Sequence, residues 1–390
     1  MKVTRVAIVE THPIQYHVPW YQALSKIKNL ECKVFYAMLP DPQQQGAGFD
    51  MPFQWDIPLR DGYAWEVLPN QARKPSPVTF WGSNVPSVRK ILTRNFYDVL
   101  ITNGWNAFSL LQALRAAVKS NIPVIVRGES NGFKPRNIGI QMLHRILLQK
   151  YSAYLAIGKA NKGFYLKNKA PQNRIFDCPY FVDNDRFGKA ESQNRSQRSS
   201  IRANWNIPDD ATCFLYAGKL IPKKKIFDLI ESFSRARQTC EKIHLLIVGT
   251  GQLFQATKKL SMGLPITFAG FLNQSEIVKA YFASDCNVLP SDYRETWGVV
   301  INEAMACGLP AIVSDQVGCG PDLVIEGVTG YTFPCGNVQR LGEIMAELAR
   351  HPERLAQMGK NARSHIQSYS VEKAVQGTLQ AVEFVTCRKS

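Results

Sequence analysis

The chain has 390 residues, of which 45% are hydrophobic, and a formal net charge of +16 at pH 7. That length predicts two domains, and the apolar content suffices for large buried cores. No run reaches about 18 consecutive apolar residues, which excludes a spanning helix, and the apolar run at the N-terminus is too short for a signal peptide.

The charge is uneven. Residues 1–205 hold 28 Lys and Arg against 13 Asp and Glu, an excess of +15, whereas residues 206–390 hold 19 against 18, an excess of +1. A basic half suits an anionic partner such as a membrane surface or a lipid-linked phosphate. No helix-turn-helix, zinc-finger or RNP-type signature supports a nucleic-acid reading. A charge spread over a solvated surface is the plain alternative. Nine cysteines, an odd count without Cys-x-x-Cys pairs, fit reduced thiols in the cytoplasm better than a disulfide framework or a zinc site. The expected location is therefore cytoplasmic, with peripheral contact at the inner face of the cell membrane.

Val3 to Val9 reads as a buried strand. Ligands of open α/β sheets bind beyond the carboxyl ends of strands, and here that end carries His12, Gln15, Tyr16 and His17. These four are candidates for holding an acceptor, although either histidine could merely cap the loop. The loop has no G-x-G-x-x-G and hence no dinucleotide fingerprint. A helix is expected from about Val18 to Ile27 and a strand near Cys32 to Ala37. Phe53 to Leu68 alternates aromatic and polar residues and reads as a hairpin or irregular strand. Asn70 to Ser87, rich in Pro, Gly and Ser, is a long surface loop. A short helix at Val88 to Asn95 and strands at Val99 to Thr102 and Val124 to Val126 follow.

The second of these strands runs into Arg127-Gly128-Glu129-Ser130. Glu129 is a candidate polar partner or base and Arg127 a candidate for an anionic group, with a structural Arg–Glu pair as the other reading. Asn137 to Lys150 combines Ile138, Met142 and Ile146 with Arg136, Arg145 and Lys150. It reads as a helix covering the sheet or, alternatively, as one lying on a membrane surface. Asp183 and Asp185 form an Asp-x-Asp pair, read as a turn rather than a metal site. Lys189 to Ser200 is polar and is expected to be mobile.

After Asn206 the alternation restarts. Strands are expected at Cys213–Ala217, His244–Val248, Ile266–Ala269, Asn287–Leu289 and Ala311–Ser314, with helices between them, which implies a parallel, doubly wound sheet. Gly249-Thr250-Gly251 follows one strand closely. Arg294 to Pro310, reading RETWGVVINEAMACGLP, sets Glu295 and Glu303 eight apart around Gly298 and ends on a Gly-x-Pro helix stop. The expected helix runs from about Gly298 to Cys307. Its open first-turn amides suit a phosphate, and the two carboxylates suit sugar hydroxyls. Two surface glutamates at an ordinary loop-to-helix junction would look the same.

Glu-x7-Glu before EAMACGLP resembles the donor-site motif of retaining glycosyltransferases of family 4. Tyr216 to Lys224, reading YAGKLIPKK, is similar to that family's phosphate-binding segment, with Lys219 at the usual Arg position, Lys224 at the usual Lys position and Lys225 in place of a Gly. Thr11 to Pro19 and Arg127 to Ser130 match a subset of such enzymes. Many relatives carry a histidine where this chain has Arg127 to Ser130.

The resemblance implies the α/β GT-B fold, two doubly wound Rossmann-like domains facing a central cleft. The expected boundaries are 1–188 for an acceptor domain, 189–205 for a mobile linker, 206–367 for a nucleotide-sugar domain and 368–390 for a helix crossing back. It implies transfer of a sugar from a nucleotide sugar, as co-substrate, to a hydroxyl of a glycan or lipid-linked acceptor with retention, in bacterial surface polysaccharide or glycolipid synthesis. Lys219, Lys224 and the amides of Gly298, Val299 and Val300 would offset the leaving diphosphate, so that no metal or other cofactor is required. Glu295 would hold the donor sugar and Glu303 the ribose. Gly218, Gly249, Gly251, Phe271 and Leu272 would line the nucleotide, and Glu129 would stand in for the histidine. A glycoside hydrolase also uses paired carboxylates but needs no lysine pair. A nucleotide-sugar epimerase and a non-catalytic sugar-nucleotide-binding protein remain as competitors.

Overall fold

The computed structural model describes residues 3–93, 96–188 and 196–387. They form two units: Met1–Gln45, Phe53–Phe181 and Ser370–Ser390 make the first, Gly46–Pro52 and Val182–Tyr369 the second.

The first unit is built on seven parallel strands: β1 Thr4–Glu10, β2 Leu30–Tyr36, β3 Ala64–Val67, β4 Val99–Thr102, β5 Val124–Val126, β6 Ala153–Ala156 and β7 Ile175–Asp177. Their spatial order is β3-β2-β1-β4-β5-β6-β7. The chain winds outward from β1 in both directions, which is the doubly wound pattern expected from strands alternating with helices. Alternation along β1 divides the core in two. Val6 and Ile8 pack with Trp20, Tyr21 and Leu24 of the Val18–Leu24 helix, while Ala7 and Val9 pack with Leu110 and Ala113 of the Phe108–Lys119 helix. The first face is closed by the Val371–Cys387 helix, whose Ala374, Ala381 and Val385 join that cluster. Trp20 anchors it with an Nε1–H bond to Thr378 Oγ1 at 3.2 Å.

The second unit has six parallel strands: β8 Thr212–Ala217, β9 Ile243–Val248, β10 Ile266–Gly270, β11 Cys286–Leu289, β12 Ala311–Ser314 and β13 Gly330–Phe333. Their order is β10-β9-β8-β11-β12-β13. The Ile226–Thr239 helix buries Ile226, Leu229, Ile230 and Phe233, the face read from its 3.6-residue spacing, in one cluster with Leu341 and Met345 of the Val338–Arg350 helix. β13 was not foreseen, because its sequence GYTF carries a glycine and no apolar run.

Several expectations need correction. Of the two readings of Phe53 to Leu68, the hairpin fails and the strand with an irregular connection holds: only β3 is strand, and it pairs in parallel with β2 through Lys33 and Ala64. Pro58 and the Asp61-Gly62 turn interrupt the run before it. The 189–205 linker lies outside the described residues through 195. Its later part is the Arg198–Asn204 helix of the second unit, not a mobile segment. That helix is tied down by Arg202, which is buried and donates to the carbonyls of Ala283 at 3.2 Å, Pro208 at 2.6 Å and Ala211. These partners lie elsewhere in the chain, so local polarity could not reveal them. The 182–188 segment belongs to the second unit and 370 onward to the first. The expected helix at Val88 to Asn95 is Val88–Ile91, with 94–95 outside the described residues. The Ile138–Leu148 helix forms as expected, yet only Leu148 of it is buried, so it does not cover the sheet with its apolar face.

Candidate active site

In the second unit β8 and β11 are neighbours, and the chain leaves them toward opposite ends of the sheet order. That is the topological switch point where open α/β sheets take ligands. The segment after β8 delivers Lys219 and Lys224. The segment after β11 delivers Glu295 and the Val299–Ala306 helix. The two meet: Lys224 Nζ forms an ion pair with Glu295 Oε2, both side chains retaining about an eighth of their exposure. Burial would raise the Glu295 carboxyl, but Lys224 and Lys223 outweigh it and hold the group below its usual range.

The loop bearing Glu295 is pinned on several sides. The Gly318 amide donates to Glu295 O at 3.2 Å, and Cys319 N donates to Trp297 O at 2.9 Å. Trp297 Nε1 donates to Asn302 Oδ1 at 2.7 Å, and Asp292 N donates to Lys223 O at 2.9 Å. Gly298 caps the helix at φ 101°, ψ 57°, a left-handed conformation, and a Cβ there would stand 2.7 Å from Leu289 Cδ2. The sharp turn needs glycine. Ile301 N already bonds Gly298 O at 2.9 Å, so the half-buried Val299 and Val300 amides precede the first intrahelical bond.

The carboxyl ends of β8, β9 and β10 carry Gly218, Gly249 and Gly270 in adjacent register: Gly218 N bonds Val248 O at 2.9 Å and Gly249 N bonds Gly270 O at 2.7 Å. A Cβ on Gly249 would lie 2.0 Å from Gly218 O. The close approach of the two backbones requires glycine at Gly249. Gly251 follows at the same edge, where a Cβ would stand 2.9 Å from Leu220 O and 3.0 Å from Gly48 O. Phe271 and Leu272, both half-buried, begin the loop after β10.

Lys219 has a partner that sequence gave no hint of. Its Nζ donates to Ala47 O at 2.6 Å and lies 4.8 Å from the centre of the Phe49 ring, which packs edge-on against Phe271 at 5.1 Å. Burial, Lys223 and Lys224 lower the Lys219 ammonium. An anion that engages Lys219 takes the place of the Ala47 carbonyl.

Glu303 is 2% exposed. Its Oε2 accepts from Tyr281 OH at 2.5 Å and its Oε1 from Gln274 Nε2 at 3.5 Å, while Gln274 Oε1 accepts from Arg186 at 2.5 Å. Glu303, expected to hold a ribose, lies inside the fold with both carboxylate oxygens already bonded. Tyr281 and Gln274 were missed, for their only signal is proximity in space. Asp183 and Asp185, read as a turn, instead open a helical segment over 184–188, Asp183 Oδ1 accepting from Arg186 N at 3.0 Å and Asp185 lying within it. No group of three or more His, Cys, Asp or Glu able to hold a metal occurs among the described residues. Lys225, at the position where the family pattern has Gly, sits at φ 53°, ψ 38°.

In the first unit the candidates behave differently. Arg127 NH1 lies 3.0 Å from His17 Nε2, and His17 Nδ1 lies 2.9 Å from Glu10 Oε2. A guanidinium only donates, so Nε2 accepts and Nδ1–H donates to the carboxylate. Glu10 also receives Tyr21 OH at 3.2 Å, Asn103 Nδ2 at 2.5 Å and the Thr11 amide at 3.0 Å. Burial would raise Glu10; His17, His12 and Asn103 together hold it below its usual range. Arg127 is 1% exposed, with its guanidinium 4.8 Å from the Tyr180 ring centre and 5.7 Å from that of Trp20.

His17 and Arg127 are therefore corrected from acceptor-facing residues to members of a sealed network whose carboxylate, Glu10, was not singled out. The structural pairing foreseen for Arg127 runs mainly through His17 to Glu10, with Glu129 Oε1 at 4.0 Å. His12, Gln15 and Tyr16 remain half-buried at the end of β1, with His12 Nδ1 2.9 Å from Thr11 Oγ1. Burial lowers the His12 imidazole, more than Glu10 raises it. Glu129 keeps about a third of its side-chain exposure.

Two parallel doubly wound sheets, the second with a charged pair and a glycine-capped helix at its switch point, define the GT-B class. Residues 197–365 match the family model described as Glycosyl transferases group 1, and the second unit belongs to that family. The chain is 29% identical over 204 residues to the lipopolysaccharide 1,2-N-acetylglucosaminetransferase of Salmonella typhimurium, covering 48% of this chain and 52% of that one. It is 30% identical over 178 residues to a sulfoquinovosyl transferase of Arabidopsis thaliana, covering 45% and 34%. The matches thus span about half, or less, of the length of these curated relatives. Over the whole fold the chain superposes on Anabaena HepE in complex with UDP with a TM-score of 0.74 at 18% identity, covering 98% of this chain and all of that one. Sucrose-phosphate synthase of Thermosynechococcus elongatus gives 0.72 at 19%, covering 99% and 100%.

Proposed function

We propose that this protein transfers a sugar from a nucleotide sugar to a hydroxyl of a glycan or lipid-linked acceptor, with retention at the anomeric carbon. The observation that carries the reading is the Lys224–Glu295 ion pair beside the open mouth of the Val299–Ala306 helix. Negative charge grows on the diphosphate as the glycosidic bond breaks, and stabilising that charge is the largest demand on the protein. Lys224, Lys219 and the Val299 and Val300 amides supply it. Two ammonium groups offset most of a diphosphate, so a metal is not required, and turnover should survive EDTA. Glu295, freed from part of its pairing as Lys224 turns to phosphate, accepts from the donor sugar's hydroxyls. Glu303, oriented by Tyr281, receives a ribose hydroxyl only by exchanging one of its present partners. Gly249, Gly251, Phe271 and Leu272 line the nucleoside.

Relatives whose names specify a lipopolysaccharide or a monoacylated phosphatidylinositol monomannoside as acceptor support a surface glycan or glycolipid. The basic first half supports an anionic membrane as the place where that acceptor is met. No described helix is long and apolar enough to cross a membrane, and we place the reaction at the cytoplasmic face.

The test is a thermal-shift screen of nucleotide sugars, since a ligand of the folded state raises its stability, followed by nucleotide release with and without acceptor. One nucleotide sugar should raise Tm, and release should depend on acceptor. No shift with any donor, or release that ignores acceptor, would overturn transfer in favour of binding alone or of epimerisation.

A further inference from the structure

The Ile138–Leu148 helix is turned the wrong way for a helix of a soluble domain. Its polar residues Gln141, His144 and Arg145 are half-buried, whereas Ile138, Ile140, Met142, Leu143 and Ile146 are exposed, Ile138 at 82% and Leu143 at 62%. The inward side is held by specific contacts. Asn137 caps the helix by accepting from Ile140 N at 2.9 Å, and Gln141 Nε2 donates to Arg136 O at 2.8 Å. His144 packs edge-on against Phe164 at 5.4 Å and against Trp105 at 5.9 Å. The outward face is thus a fixed feature of the fold, and five large aliphatic side chains on it form a contiguous patch of the kind that marks an interaction surface.

Charge identifies what covers it. Residues 130–176 contain nine Lys and Arg and no Asp or Glu. Lys134 and Lys150, at the two ends of the helix, are exposed. An apolar stripe flanked by ammonium groups fits a bilayer interface, with aliphatic chains entering the acyl boundary and lysines meeting lipid phosphates. A second copy of the chain would set the same cations against each other.

The position is consistent with this. Because the strands of the first unit are parallel, the segments leaving β3, β4 and β5 emerge from one edge of the sheet. The β5 segment leads into the helix. The β3 segment carries Val78 and Trp81, exposed at 71% and 68%. Trp81 lies tilted against Phe108 at 4.9 Å, directly after the β4 segment that brings Trp105 to His144. Tryptophan is the residue favoured at the headgroup level. The connection that enters the helix thus starts from the carboxyl edge of the sheet, where ligands of such folds bind.

We propose that the Ile138–Leu148 helix, with Lys134, Lys150 and Trp81, seats the first unit on an anionic lipid bilayer. The proposal gives a site to the membrane contact suggested above and does not depend on sugar transfer.

The experiment is co-sedimentation of the full chain with vesicles of equimolar phosphatidylcholine and phosphatidylglycerol, and with vesicles of phosphatidylcholine alone. The wild-type chain should bind the first and only weakly the second. L143E combined with I146E should reduce the partition coefficient at least about tenfold, since each apolar side chain removed from the acyl boundary lowers transfer. Both positions are exposed, so Tm and the nucleotide-sugar thermal shift should be unchanged. Loss of membrane binding with that shift retained separates this proposal from the one on function. Full binding by the double variant, or equal binding of the wild type to neutral vesicles, would overturn it. So would a vesicle-free dimer that the double variant dissolves, which would show that a second copy covers the face.

Discussion

The two units handle charge in opposite ways. In the first, Glu10, His17 and Arg127 lie in the core, each 2% exposed or less, with partners on Tyr21 and Asn103. In the second, Lys224 and Glu295 meet at the sheet edge, each side chain keeping about an eighth of its exposure. A set of charges buried this deeply is poorly placed to follow a substrate through a change of charge. A pair at the sheet edge can exchange one partner for a phosphate. On the proposed function, the first network positions the β1 and β5 ends, while the second meets the diphosphate.

The largest effect should come from breaking the sealed set. Arg127→Met leaves the His17 acceptor without its donor and the Glu10 carboxylate without its nearest cation. Removing one member of a buried charged set lowers stability by about 3–5 kcal/mol. The urea midpoint should fall accordingly, and an unchanged midpoint would erase the distinction between the two units.

Burial rather than the identity of the unit should decide such costs, and His244 checks this in the second unit. Burial and Arg202 push its imidazole down from 6.5 to about 4. Its Nε2 lies 3.0 Å from Thr267 Oγ1, which itself donates to Trp205 O at 2.7 Å. The neutral form is the folded form, so the stabilisation is complete above pH 6.5. It is lost as pH falls toward 4, because the unfolded chain takes up the proton first. The loss should reach about 2 kcal/mol after discounting for solvent. H244Q should flatten the slope of stability against pH across that window, and a slope equal to wild type would refute the assignment.

Opening the comparison from the other side, Lys224→Ala should reduce turnover at least about tenfold, about 1.4 kcal/mol of barrier, while shifting the urea midpoint little. A variant that loses stability but not rate would move Lys224 into the class of Arg127.

The smallest effect concerns Lys225. Its left-handed backbone is one that a side chain disfavours by about 1 kcal/mol. K225G should raise the urea midpoint by up to that amount, less the added freedom of the unfolded glycine. A fall would show that the 3.7 Å contact from Lys225 to Asp228 outweighs the strain.

Much of this was legible in the chain itself. Apolar runs separated by helical spacing fixed two parallel sheets, since burial of such strands on both faces requires helices on both sides. RETWGVVINEAMACGLP announced its helix, because the Gly and Pro stops act locally and Gly298 is the only residue type that tolerates the turn. The helix stop located Gly298 and its turn, whereas Lys224 and Glu295 were picked out as a pair by the resemblance to family 4 glycosyltransferases. What the chain order could not convey was which charged groups are open and which are sealed. Glu10 became the centre of a network only when folding brought His17, Asn103 and Arg127 around it, and Glu303 was closed by Tyr281 and Gln274 from other elements. The Ile138–Leu148 helix has the same residues whichever way it turns; Trp105 and Phe164, distant in sequence, hold its polar side inward. Local propensity acts over a few residues and is written in order along the chain, whereas burial and partnership depend on contacts made across it.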